Sequence, residues 1–368
     1  MISFSSFLAA LFTNPVLLII TVLVAGAIFI NGATDASNAI ATAIGTRSIK
    51  PGVAIAMGAI CNFVGLILMT YLSTAVADTI GKMVNFGSNT EAALLALAAA
   101  MISIIVWGGV AWRFGIPTSQ SHSLIAGLTG AAIAVQGGLA GINFNEWAKV
   151  IYGLAVSTIL GFGLGWFFTK AIERLCYNMH YSTARKVFRV GNIAAAIFLA
   201  LMHGAQDGQK FMSIAMLGVA LALGINDIGS EYPVWIMAFC ALAMAIGSGV
   251  GGKKIIKSVS MNMVSLERYQ GFAASFAASM CLLGATLFGI PVSTTHTNTT
   301  AIMGTGAAKN IRHVQWDIAG NMVLTWVCTF PGCGLIGFVL AKFFVWVNKH
   351  IFELMEVSEQ VSMVAAYI

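Results

Sequence analysis

Residues 31–38 read Asn31-Gly-Ala-Thr-Asp35-Ala-Ser-Asn38 and lie inside an apolar run of 30 residues, Pro15 to Ile44. About 20 residues of helix already cross a bilayer. The surplus length, with an acid near the middle of the run, predicts a helix interrupted there rather than a straight span. The pattern returns 172 residues further on as His203-Gly-Ala-Gln-Asp207-Gly-Gln-Lys210. A second string, Gly115-Ile-Pro-Thr-Ser-Gln-Ser-His122, returns 174 residues on as Gly289-Ile-Pro-Val-Ser-Thr-Thr-His296. Two unrelated motifs repeated in the same order at nearly one offset indicate a duplicated chain.

Composition agrees with a membrane protein. Hydrophobic residues make up 58% of the 368 and charged residues only 9%, against about 25% charged in soluble domains. Runs such as Val53 to Val76 and Ala92 to Val110 lack the two-residue alternation of a transmembrane barrel and read as helices. The six cysteines contain no CxxC pair and five lie in apolar runs, which points away from a zinc site or a disulfide framework. The net charge of +6 sits in short loops rather than on a polar domain, so it concerns orientation in the membrane and not nucleic acid. One basic loop (Lys170, Arg174, Arg185, Lys186, Arg189) and another (Lys253, Lys254, Lys257, Arg268) are expected in the cytoplasm. Without a basic stretch at its start, the N-terminal region is expected to carry no cleaved signal peptide. No polar stretch is long enough for a domain that hydrolyses ATP.

Five crossings per half are expected, at about 15–45, 52–76, 92–113, 115–137 and 147–170, then 187–222, 234–250, 270–288, 289–308 and 316–346. An odd number turns the second copy upside down. The expected fold is an all-α polytopic membrane protein of two inverted-topology repeats, with broken helices and two re-entrant, hairpin-like segments at the Ile-Pro strings. Residues 1–172 form the first repeat, 173–189 a basic cytoplasmic linker and 190–368 the second repeat. Both termini are expected outside a bacterial-type cell membrane.

An anion held in mid-bilayer needs donors in fixed directions and partial positive charge. The N-terminus of a helix that restarts inside the membrane supplies unpaired N–H groups and roughly half a positive charge. Ser119, Gln120 and Ser121, with Ser293, Thr294 and Thr295, are therefore candidate anion ligands; helix capping is the alternative use of such residues. Lys210 follows Asp207 at helical spacing where the other half has Asn38, and it leans its half toward the anion. Carboxylates repel an oxyanion, so Asp35 and Asp207 are assigned to a cation, with Asn38, Thr34 and Gln206 as further ligands. That cation is Na⁺, at Asp35, Asn38 and Asp207, or a proton. The alternative is structural: each acid caps a helix, or Asp207 pairs with Lys210. His122 and His296 are expected to be hydrogen-bonded core residues.

Enzymatic activity is not expected, and no cofactor beyond the coupling cation is implied. An intramembrane hydrolase is disfavoured because Ser121 and His122 are adjacent and cannot face each other, and neither a GxSxG nor an HExxH string occurs. A channel would need no duplicated pair of acids.

Together, the Gly-Ala-x-Asp-x-x-Asn, His-Gly-Ala-x-Asp-Gly-Gln-Lys and Pro-Val-Ser-Thr-Thr-His strings resemble the inorganic phosphate transporter (PiT) family over most of the chain. The stretch Tyr269 to Ala274 resembles that family's helix before the second hairpin. The resemblance implies phosphate uptake driven by Na⁺ or H⁺, an inverted-repeat fold and a homodimer, with sulfate or a related oxyanion as the alternative cargo. Position by position, Asp35, Asn38 and Asp207 match its ion- and substrate-binding acids and amide. Ser119, Ser121, Ser293, Thr294 and Thr295 match its phosphate-contacting hairpin residues. Thr34 and Gln206 depart from it, standing where Asn usually precedes each motif Asp, and so does Ser275, where Glu or Gln is common.

Overall fold

The computed structural model describes residues 3–35, 38–116, 118–225, 231–261, 264 and 266–366, with side chains left undescribed at 251–261, 313 and 351–366. Thirteen α-helices follow in chain order among the described residues: α1 (Phe4–Thr13), α2 (Pro15–Thr34), α3 (Asn38–Gly45), α4 (Pro51–Leu72), α5 (Ala75–Gly81), α6 (Thr90–Phe114), α7 (Gln120–Gln136), α8 (Phe144–Leu175), α9 (Tyr181–Ala222), α10 (Val234–Met261), α11 (Arg268–Leu287), α12 (Thr294–Lys309) and α13 (Trp316–Ala366). Local chemistry sets many of their ends. Asn14 accepts hydrogen bonds from Val16 N and Leu17 N, and Pro15 opens α2, where its missing N–H is no loss. Gly115, at φ +69°, stops α6 in the left-handed region and turns the chain toward α7.

Packing is reciprocal between the two halves. α2 lies against α10 as α4 lies against α9; α7 lies against α13 as α12 lies against α8; α6 meets α7 as α11 meets α12. These contacts are close because glycine permits them. A Cβ added at Gly204 of α9 would stand 2.2 Å from the Asn62 carbonyl oxygen of α4, and one at Gly32 of α2 would stand 2.2 Å from the Met244 carbonyl oxygen of α10. Backbone cannot yield as a side chain can. Gly204→Ala is therefore expected to lower stability by about 3 kcal/mol, the upper end of overpacking costs, whereas Gly163→Ala, in open space on α8, stays at parental stability. Thermal unfolding in detergent checks the pair, and equal melting points would contradict the close α4–α9 approach.

The structure differs from expectation in three places. First, α9 runs unbroken through the second acidic motif, 42 residues spanning about 63 Å, whereas the first motif does interrupt its helix, α2 ending at Thr34 and α3 beginning at Asn38. Second, the linker expected at 173–189 is mostly helix, since only 176–180 lie outside α8 and α9, and Lys253, Lys254 and Lys257 belong to α10 rather than to a loop. Third, seven helices are long and apolar enough to cross a membrane, not ten. At 17 and 16 residues, α7 and α12 reach only about 26 and 24 Å, short of the roughly 30 Å hydrocarbon core.

Candidate functional site

The two short helices start at one buried place. Ser119 caps α7, its Oγ accepting from His122 N at 3.3 Å, and Ser293 caps α12, its Oγ accepting from His296 N at 3.1 Å. The Ser293 hydroxyl then donates to the Ser119 hydroxyl at 2.8 Å. Two helix N-termini, one from each half of the chain, thus meet head to head, each with roughly half a positive charge. Just behind the caps, the rings of His122 and His296 pack edge to face with centroids 4.3 Å apart, His296 stacks on Trp326 at 3.6 Å and His122 lies 4.6 Å from Phe330. The histidines are core residues, as expected, and ring packing is what holds them there.

Both acids reach this junction, each from its own half. Asp35 Oδ2 accepts from Gln120 N at the first turn of α7, 3.0 Å away. Asp207 Oδ2 accepts from Thr294 Oγ1 at the first turn of α12, 3.1 Å away. Lys210 Nζ donates to Asp207 Oδ1 at 2.9 Å, Ser121 Oγ at 2.7 Å and the Val292 carbonyl at 2.5 Å, so all three ammonium protons are taken. His203, one turn before Asp207, places Nε2 3.3 Å from its Oδ2 and holds Asn62 Oδ1 through Nδ1 at 3.0 Å. Asn38 Nδ2 donates to Thr295 Oγ1 at 3.0 Å. Seven of the candidates (Asp35, Asn38, Asp207, Lys210, Ser121, Thr294 and Thr295) are 0–2% exposed, so the junction is closed in this conformation.

The remaining candidates serve the backbone around it. Thr34 turns its hydroxyl to the carbonyls of Ile30 and Asn31 at 2.9 and 3.3 Å. Gln206 braces the turn before α12, donating to Thr286 Oγ1 at 3.0 Å and to the Ile290 carbonyl at 3.3 Å. Gln120 contributes its backbone N–H to the acid, while its side-chain amide points to Thr118 at 3.4 Å.

A polar strip links the junction to one end of the molecule. Asn38, Thr42 and Thr46 recur every four residues and so share one face of α3 and its last turn. Thr42 meets Ser275 at 2.5 Å, and Thr46 accepts from Asn192 Nδ2 at 2.7 Å and meets Ser48 at 2.9 Å. Thr46 also lines a cavity of about 800 Å³ with Glu173, Arg185, Arg268 and Tyr269. Thr42, Thr46, Asn192 and His203 escaped the sequence reading as functional residues. Their signal was present for the first two, as hydroxyls at four-residue steps from Asn38 inside an apolar run.

The chain matches the family model described as "Phosphate transporter family" at residues 31–183 and 175–337, which take in every residue of the junction. It belongs to the phosphate transporter family. Among members of this phosphate transporter family, it is 35% identical over 326 residues to a protein of Bacillus subtilis (strain 168) named "Probable low-affinity inorganic phosphate transporter", covering 88% of this chain and 96% of that one. A protein of the same name from Rhizobium meliloti (strain 1021) is 36% identical over 311 residues, covering 84% and 90%. A solved structure titled "The sodium-dependent phosphate transporter" shares the fold at a TM-score of 0.82 and 21% identity, covering 91% of this chain and 99% of that one. The names of these relatives in the phosphate transporter family describe transport and not catalysis.

Proposed function

We propose that this chain carries inorganic phosphate across a membrane together with a cation, Na⁺ or H⁺, and that its halves, 1–172 and 190–368, are inverted copies built around the junction. The observation that carries this reading is the head-to-head meeting of two helix N-termini inside the protein, where Ser119 and Ser293 touch. Backbone N–H groups and hydroxyls there point at one spot, which suits a tetrahedral oxyanion. Reciprocal packing of the halves supports the duplication.

Charge explains the need for a co-transported cation. With both carboxylates ionised, two acids face one ammonium and two helix ends of roughly +0.5 each, so the junction is near neutral before an anion arrives. Adding a phosphate in this low-dielectric place without a cation leaves its charge uncompensated. The acids also favour phosphate over sulfate. Phosphate near neutral pH keeps at least one O–H and can donate to a carboxylate, whereas sulfate has none and meets only repulsion. The strip along α3 and the cavity beyond Thr46 form the way in or out on one side.

Uptake of labelled phosphate and labelled sulfate into proteoliposomes, with Na⁺ and pH gradients imposed separately, tests the reading. Saturable phosphate uptake that follows one of the two gradients, with little sulfate uptake, is the expected result. Equal uptake of both anions, or uptake indifferent to both gradients, would refute it.

A further inference from the structure

The two acidic half-sites are built on one plan, contact by contact. Asp35 takes a donor from the first residue of α7 and Asp207 takes one from the first residue of α12. Three residues after each acid, Asn38 reaches Thr295 of the opposite hairpin helix while Lys210 reaches Ser121 of the other, and Thr295 and Ser121 are matched positions of the repeated string. The difference lies in what fills the cradle. In the first half-site Asp35 Oδ1 and Asn38 Oδ1 are both buried without a hydrogen-bond partner among the described residues, two oxygens left for a cation. In the second, Asp207 Oδ1 is held by the Lys210 ammonium, whose other two protons go to Ser121 Oγ and the Val292 carbonyl. A primary ammonium inside three oxygens satisfies the same donors that a bare cation would need.

We propose that Lys210 is a tethered cation that permanently occupies the second half-site, so that only the half-site of Asp35 and Asn38 takes a mobile coupling cation. This rests on the transport reading above and deepens it, because the side chain at position 210 then sets how many cations accompany each phosphate. Lys210→Asn recreates in the second half the Asp-x-x-Asn arrangement of the first, with a vacant cradle in place of the ammonium.

The test counts cations on the purified full chain and in proteoliposomes, for the parent, Lys210→Asn and Lys210→Arg. Equilibrium ²²Na⁺ binding and proton uptake in weak buffer are expected to show one more cation bound by Lys210→Asn than by the parent, with Lys210→Arg like the parent. In vesicles, one more coupled cation raises the limiting phosphate accumulation by about tenfold when the imposed cation gradient is about tenfold, since each cation contributes RT ln of its gradient. If Lys210→Asn unfolds in low salt at neutral pH, raised Na⁺ or lowered pH is expected to restore its melting transition. An unchanged cation count, or an unfolded variant that neither Na⁺ nor acid restores, overturns the tethered-cation role. Failure of the parent itself to take up phosphate would overturn the transport reading instead, which keeps the two apart.

Discussion

Replacing Asp35 by asparagine is expected to abolish cation-driven phosphate accumulation while leaving thermal stability within about 1 kcal/mol of the parent. The carboxylate has no ion-pair partner within 4.0 Å among the described residues, and its one described hydrogen bond, from Gln120 N, is one that an amide oxygen also accepts. Removing its charge therefore strands nothing. What disappears is the negative half of the cation cradle, and phosphate in vesicles bearing Asp35→Asn should only equilibrate, to an inside-to-outside ratio of about one at zero membrane potential. Uptake under imposed Na⁺ and pH gradients, beside a melting curve of the same preparation, measures both parts. Parental accumulation in this variant would remove Asp35 from the coupling step.

Asp207→Asn is expected to behave differently, losing about 3–5 kcal/mol of stability, the range seen when one partner of a buried ion pair is deleted. Lys210 is 0% exposed and has no other acid within reach among the described residues. The amide leaves its ammonium buried beside a hydroxyl and a carbonyl with no counter-charge. The hydroxyl of Thr294 also loses its charged acceptor, so the first turn of α12 loosens with it. Unfolding followed by intrinsic fluorescence in detergent should show Asp207→Asn melting well below Asp35→Asn. Coincident curves would mean that the ammonium finds other compensation and that the Asp207–Lys210 pair adds little to the fold.

The contrast between the two acids was out of reach of the sequence, although the acids themselves were plain in it. Both motifs read alike, and both were expected to break their helices. In the first, Asp35 has an amide three residues on, so no local ion pair holds the helix together, and the acid instead receives the N-terminus of α7. In the second, Lys210 pairs with Asp207 one turn along the same helix, and Gly204 lets α4 pack against it, so α9 continues. The choice between capping and pairing was settled by residues more than 80 positions away, Gln120 for one acid and Ser121 and Thr294 for the other.

What the amino-acid order alone determined is everything that depends on local pattern: a helical membrane protein, from long apolar runs that only helices can carry through lipid; duplication, from two motifs at a shared offset; and the polar residues that lipid would not tolerate without a task. What only the tertiary structure decided is which of those polar groups meet. Ser119 and Ser293 stand 174 residues apart in the chain and 2.8 Å apart in space. A hydroxyl in an apolar run must find a partner, but its own neighbours do not say which one, because that contact exists only once two helices from opposite halves have packed end to end.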